Sequence, residues 1–540
     1  MPESVNDMQR VLNFLLILLL CLMLVHTLVY LAFGVALIPF PFDYDQAEGF
    51  ELNNAVLLAS GGCPYCNNDI FPFYGSGYPP LFHMLMVPFV KLFGPQFWYG
   101  RLMIFCATLV TALAIAWAVF RDSGHRMIAM IAGLAFLSSN YVYHIGPLLR
   151  QHLLMVMFET LAVVTIARAF QPGIKTRRHL FVAFALLLCA GYTKQLAYTS
   201  CIAVSLWLFL RNPRAAIQYS LGLALAAGAI FALLMLATDG HWWINIITAN
   251  QNPYRMDQFL GLLQQFLRLH GWLFVLAIGM VVYEMYFDRL SVFSIWFVAA
   301  FINTSAAGKW GAGDSYFVTA LAAICILSGI FLARSATGAW HLSRNYLSRF
   351  LKPTAGLANG KLLALSGTIL FLAYGISVFK LPTSGPFFAP IASALNIQPL
   401  PSWRYPLYDP AGWTVGYAVT GHLPSQDDYE RGWEIVDLIK QTDGLLLSED
   451  AGFNLRSGRE VIANAIQLKN LWENGLFDPT ELINRIRSHS FGLVIIRAGL
   501  FPPPVMIAIH SNYQLEQIIS MNGFDYQLWK PRTSASAGDD

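Results

Sequence analysis

The sequence predicts a polytopic α-helical membrane protein, with about eleven membrane-spanning helices and a C-terminal α/β domain outside the cytoplasm. Three observations predict it. Of 540 residues, 56% are hydrophobic and 12% charged, about half the charge usual in soluble domains, and the mean hydropathy is +0.52. Apolar segments near the ~20 residues a bilayer requires recur as far as residue 380. From about residue 385 they give way to shorter amphipathic and alternating segments. The net charge of +3 is too small to indicate nucleic acid as a partner.

The first apolar segment, 11–38, is too long for the apolar core of a signal peptide and lacks a convincing small-residue cleavage site, so it reads as an uncleaved anchor. A large loop, 39–98, follows. Within it, 78–93 is apolar but interrupted by Pro79, Pro80 and Pro88, which suits a re-entrant or juxtamembrane helix. Further spans are expected at about 99–120, 127–145, 152–170, 179–197, 197–211, 216–237, 271–287, 290–307, 315–333 and 361–380.

Lys and Arg set the orientation. With the N-terminus inside, the cytoplasmic loops carry Arg10, Arg121, Arg126, Arg168, Lys175, Arg177, Arg178, Arg211, Arg214, Arg289, Arg334, Arg344, Arg349, Lys352 and Lys361. The other side holds mainly single cations. This places both the large loop and everything after residue 379 outside the cytoplasm. The division is 1–384, membrane domain, and 385–540, α/β domain. In the latter, 427–441 has helical periodicity, 444–448 and 492–496 are short apolar strands, and helical stretches lie around 467–474 and 479–488. Residues 448–452 (Ser-Glu-Asp-Ala-Gly) end a strand, a common ligand position in such sheets, and equally an ordinary strand-to-loop turn. Residues 533–540 read as a disordered tail.

The chemistry concentrates at 43–51, Asp-Tyr-Asp-Gln-Ala-Glu-Gly-Phe-Glu, with four carboxylates in nine residues just past the first span. In a helix Asp45 and Glu48, and Glu48 and Glu51, are i,i+3 neighbours. Crowded acids at a membrane surface raise one pKa or recruit a cation, so a divalent cation is a candidate cofactor; the sequence implies no other. The second feature is a set of cations at external span ends: Arg150-Gln151-His152, Gly191-Tyr192-Thr193-Lys194-Gln195 and Gly308-Lys309-Trp310. Each alone is a snorkelling residue. Three together on the cation-poor side suit an anionic ligand at the outer interface. Five of the seven cysteines lie in apolar segments. Cys63 and Cys66 form a CxxC in the first loop, better read as a disulfide in an oxidising compartment than as half a zinc site. No Walker loop, GxGxxG or HExxH is present.

The acidic motif, the Ala59–Gly62 step, Gly77-Tyr78-Pro79-Pro80-Leu81-Phe82, Leu92-Phe93-Gly94-Pro95-Gln96-Phe97-Trp98 with Arg101, and the Arg150-Gln151-His152 turn together resemble the GT-C class of membrane glycosyltransferases. The bacterial set of protein O-mannosyltransferases, lipid A aminoarabinose transferases and RgtA/B/C/D-like enzymes is the specific likeness, and it covers roughly residues 10–335. Two places depart from it. His152 stands where members often carry an acid, and Gly77-Tyr78 stand where some carry Glu-Lys. The resemblance implies transfer of a sugar from a polyprenyl-phosphate donor to an extracytoplasmic acceptor, in the bacterial inner membrane among its lipids. Asp45 is then the expected catalytic base, with Glu48 the alternative. Arg150, His152, Lys194, Gln195, Lys309, Tyr78 and Arg101 are the expected substrate-binding residues. The rival is a lipid or glycan flippase, which would bury acids mid-span; Glu159 is the one acid found deep in a span.

Overall fold

The computed structural model describes residues 2–171, 173, 175–340, 357–399, 406–410 and 421–532. Arg344, Arg349, Lys352 and the tail 533–540 lie outside them. The membrane part comprises α1 (Pro2–Leu37), α2 (Glu48–Ser60), α3 (Leu81–Phe93), α4 (Trp98–Ser123), α5 (Arg126–Ser138), α6 (Asn140–Ile145), α7 (His152–Ala167), α8 (Thr176–Thr193), α9 (Tyr198–Arg211), α10 (Pro213–Ala237), α11 (His241–Ile246), α12 (Met256–Phe287), α13 (Val292–Asn303), α14 (Val318–Thr337) and α15 (Leu357–Ser377). The rest comprises β1 (Leu381–Pro382), α16 (Gly385–Ala394), β2 (Leu407–Tyr408), α17 (Gln426–Lys440), β3 (Leu445–Ser448), α18 (Ala451–Ser457), α19 (Ala465–Glu473), α20 (Thr480–Arg487), β4 (Phe491–Ile496), α21 (Pro503–Asn512), β5 (Tyr513–Met521) and β6 (Phe524–Pro531).

Each expected span falls on a helix, but among the described residues only six are long and apolar enough to cross a bilayer: 7–37, α4, α10, α12, 314–337 and 360–377. These make the chain an integral membrane protein. Others are shorter: α5 stops at Ser138, where extended Ser139 (ψ 139°) separates it from α6. Pro88 lies inside α3, within the apolar block expected to form a re-entrant or juxtamembrane helix.

Helix α14 is the axis of the bundle, buried along nearly its whole length. Without a hydrophobic drive between helices in lipid, small residues decide how near backbones approach. An added Cβ at Gly329 would lie 2.6 Å from Ala132 Cβ and 2.8 Å from Val119 Cγ2, and one at Gly133 would lie 2.5 Å from the Ala112 carbonyl oxygen. Glycine thus brings α14, α5 and α4 together. Mid-bundle Glu159 accepts hydrogen bonds from Ser200 (2.6 Å) and Thr319 (2.8 Å), so its carboxyl ties α7 to α9 and α14.

The C-terminal part carries a four-stranded sheet ordered β3-β4-β6-β5, with β3 parallel to β4 and the other pairs antiparallel. The helices read near 427–441, 467–474 and 479–488 are α17, α19 and α20. The β5–β6 hairpin was not anticipated. Its turn is Asn522-Gly523, both at positive φ (50° and 81°), the Asn-Gly pair that two-residue hairpins favour.

Candidate active site

The large loop turns on Arg101. The last carbonyls of a helix have no partner within it, and α1 ends against a guanidinium. Arg101 donates to the carbonyl oxygens of Leu37 (3.0 Å), Phe40 and Phe42 (2.7 Å). Its remaining N–H groups meet Glu48, at 3.0 Å from Nε and 2.8 Å from Nη2. Glu48 also accepts the backbone N–H of Tyr44, Asp45 and Leu149 (2.9, 3.2 and 2.6 Å). Both side chains are fully buried. Burial by itself would raise the Glu48 carboxyl, but the Arg101 charge and these N–H donors hold it below the ordinary carboxylate range. A carboxylate so surrounded is a poor proton acceptor. The expected roles of Glu48 as base and Arg101 as substrate ligand are corrected: together they fix the path of the chain from α1 into α2.

Asp43 is equally committed. Its Oδ1 accepts the Gly49 N–H (2.5 Å) and its Oδ2 the Gly452 N–H (2.8 Å), joining the N-terminal turns of α2 and α18. Burial pushes the Asp43 carboxyl well above its usual range, reinforced by the nearby charges of Asp450 and Glu48. Asp450 is held by Arg497 (3.0 Å) and the Tyr526 hydroxyl (2.8 Å). Glu449 accepts the backbone N–H groups of Arg497, Ala498, Gly499 and Leu500. The strand end at 448–452 therefore docks on the acidic loop instead of presenting a ligand site.

One acid, Glu51, lines the cleft between the bundle and the C-terminal part, and a second, Asp45, pairs with Arg150 of that lining. Asp45 takes two donors from Arg150, Nη2 and Nε (2.8 Å), both on Oδ2. Glu51 lines the cleft and meets His83 Nε2 at 2.5 Å. The sequence places Glu51 in the acidic motif but gives it no role, and His83 carries no signal there. Glu51 is one turn past Glu48, but nothing local told which face of α2 opens on the cleft. Side-chain amides from three regions share it: Asn54 from α2, Asn250 from the loop before α12, and Asn464, Gln467 and Asn470 at α19. The Asn470 side-chain oxygen is buried and accepts no hydrogen bond.

Arg150 and Tyr78 also line the cleft. Lys194, immediately after α8, places Nζ 4.7 Å from the Tyr78 ring centroid and 2.8 Å from His152 Nδ1. Arg150, Lys194, His152 and Tyr78 are thus one cluster. Gln195 stands aside, tying the carbonyls of Gly77 (3.1 Å) and Ile246 (3.2 Å). Lys309 departs furthest from expectation. Its side chain is exposed, its backbone bridges Tyr254, and among the described residues it makes no hydrogen bond, ion pair or ring contact with Asp45, Arg150 or Lys194. The acidic motif does not fit a divalent cation either. Its carboxylates diverge onto separate partners, namely Arg101, Arg150, His83 and two backbone N–H groups. Cys63 and Cys66 are joined as a disulfide, as their loop position suggested.

Fold and site define the class: the chain has the GT-C fold. Two structures of ArnT from Cupriavidus metallidurans carry that comparison. The apo form matches with TM-score 0.55 and 12% identity, over 95% of this chain and 99% of that one. The form bound to undecaprenyl phosphate matches with TM-score 0.53 and 13% identity over the same shares. No family model and no curated protein matches the sequence.

Proposed function

We propose that the chain is a glycosyltransferase that moves a sugar from a polyprenyl-phosphate donor to an extracytoplasmic acceptor, a glycan, lipid or protein, at the bacterial inner membrane. A hexosyl or a pentosyl donor suits this chemistry equally. One observation carries the reading. Arg150, which pairs with Asp45, lines a cleft under the C-terminal part together with Tyr78 and several side-chain amides, and the buried Lys194 lies over the Tyr78 ring. The fold adds support, since one ArnT structure holds undecaprenyl phosphate.

The chemistry follows from the groups present. The acceptor hydroxyl oxygen attacks the anomeric carbon while the bond from that carbon to the phosphate oxygen breaks. The lipid phosphate is a weak base and leaves with the electron pair, so no general acid is required. A carboxylate must take the hydroxyl proton, and cations must hold the phosphate as its charge grows. Arg150 and Lys194 supply the cations, with His152 orienting Lys194. In the ligand-free protein Arg150 is engaged by Asp45. A phosphate competing for Arg150 releases Asp45 to act as the base. Amides that both donate and accept suit sugar hydroxyls. A second reading gives the proton to Glu51, because Glu51 itself lines the cleft. Donor-dependent transfer by purified Asp45→Asn and Glu51→Gln decides between them. If both variants retain full activity, the site is elsewhere.

The same reading sets the topology, with the N-terminus cytoplasmic and the C-terminal domain outside. That domain shapes acceptor access over the cleft.

A further inference from the structure

At the end of the bundle opposite the acidic loop, α4, α7, α9, α12, α13 and α14 enclose a second cavity of about 300 Å³. Five arginines line it: Arg121, Arg168, Arg211, Arg289 and Arg334. Its three acids are already engaged. Asp122 and Asp288 hold Arg334 at 2.8 and 3.3 Å. Glu284 accepts the Ser291 backbone N–H and the Ser294 hydroxyl, each at 2.7 Å. None of the other four arginines has a carboxylate within 4.0 Å among the described residues. Arg168 lies over the Trp117 ring at 4.7 Å, and Arg211 over that of Trp207 at 5.6 Å. Stacking fixes both guanidinium planes, and Arg211 also donates to the Leu290 carbonyl oxygen (3.1 Å).

Two buried donors at the cavity are left without an acceptor. Arg168 Nε and Trp207 Nε1 are buried with no hydrogen-bond partner, and Trp207 is only 6% exposed. A buried donor without a partner is destabilising, because it has lost its hydrogen bond to water without gaining another. An anion in the cavity would satisfy both and would neutralise the unpaired guanidinium charge. The surroundings indicate which anion. Exposed Phe170, Leu206, Phe209 and Leu210 lie beside the cavity, on the loop after α7 and the last turns of α9, where acyl chains would pack. Basic pockets between membrane helices suit anionic lipid headgroups.

We propose that this cavity binds the phosphate of an anionic phospholipid in the leaflet opposite the catalytic cleft. The site is independent of the transfer chemistry proposed above. Thermal unfolding of the full-length purified protein tests it, in nanodiscs of phosphatidylcholine with and without phosphatidylglycerol, and in detergent with inorganic phosphate alone. Native mass spectrometry of retained lipid runs alongside. Phosphatidylglycerol is expected to stabilise the wild type and to be retained. The double variant Arg121→Gln/Arg168→Gln should lose retention at least tenfold, whereas Arg177→Gln, a charge removed from an exposed site, should not. Should the double variant fail to fold, Trp207→Phe, which deletes one donor and little volume, should still weaken retention. Equal retention by wild type and Arg121→Gln/Arg168→Gln overturns the proposal. So does stabilisation by inorganic phosphate equal to that by the lipid, which would mark a soluble anion.

Discussion

Asp45 and Glu48 stand three residues apart and are both carboxyl side chains, yet their surroundings separate them. Glu48 has five hydrogen-bond donors and no exposure, while Asp45 is held by Arg150. Asp45→Asn is therefore expected to lose transfer while keeping donor binding, read by single-turnover transfer and lipid-binding titration. Arg150→Gln and Lys194→Ala should each weaken donor binding or transfer by about ten- to a hundredfold, about 1.4–3 kcal/mol. Lys309→Ala, an exposed change, should leave both intact; a loss there would restore Lys309 to the site. Glu48→Gln should behave differently from all of these. Removing one partner of a buried ion pair costs about 3–5 kcal/mol, so its first effect is a lowered Tm and poor yield, and activity falls with the folded fraction.

At the scale of elements, α2 owes its position to contacts on every side. Its residues Glu48–Ala55 are all buried, held by Arg101 and α3 on one side and α18 on another. The approach of α2 to α18 depends on glycine. A Cβ at Gly452 would lie 2.1 Å from Asp43 Oδ2, and one at Gly49 2.5 Å from the Gly452 nitrogen. Gly452→Ala should part the two helices, seen as faster amide exchange in α18 with the sheet strands still protected. Unchanged exchange would show that the contact yields without cost. The same contact has a pH sign. Burial first, and mutual charge second, raise the Asp43 carboxyl, and burial raises Asp450. Groups whose folded pKa is raised stabilise fully below the unfolded pKa, and that contribution is lost as pH climbs through the folded value. As pH rises above the ordinary carboxylate range, docking of α18 on the loop should weaken, measured as faster exchange in α18 after correction for the intrinsic rate.

For the whole molecule, the opposition of the two ends is the organising fact. Asp43, Asp45, Arg150 and Lys194 gather at one end of the helices, and Arg121, Arg168, Arg211 and Arg334 at the other. Protease protection in sealed vesicles of cytoplasm-inside orientation should leave residues after 381 open to digestion. Shielding of that region would invert the topology and remove the donor-facing geometry. Cutting the chain after α15 should reduce activity or alter acceptor choice, since Asn464, Gln467 and Asn470 of the cleft would go with it.

The sequence alone determined the membrane class, the position of most helices and the grouping of Arg150, His152 and Lys194 near the acidic loop. Those properties rest on hydropathy, periodicity and charge placement, which act over short stretches of chain. Only the tertiary structure decided which carboxylates are free. Asp43 is answered by Gly452, more than four hundred residues away, and Glu48 by Arg101 and Leu149. Lys309, like Lys194, follows the external end of a helix, and nothing local showed that its side chain stays in solvent. The role of α19 in lining the cleft was equally hidden, because its amides acquire meaning only when the C-terminal part folds back over residues 43–83. A charged side chain's chemistry is set by what desolvates it and what donates to it, and in this fold both come from far along the chain.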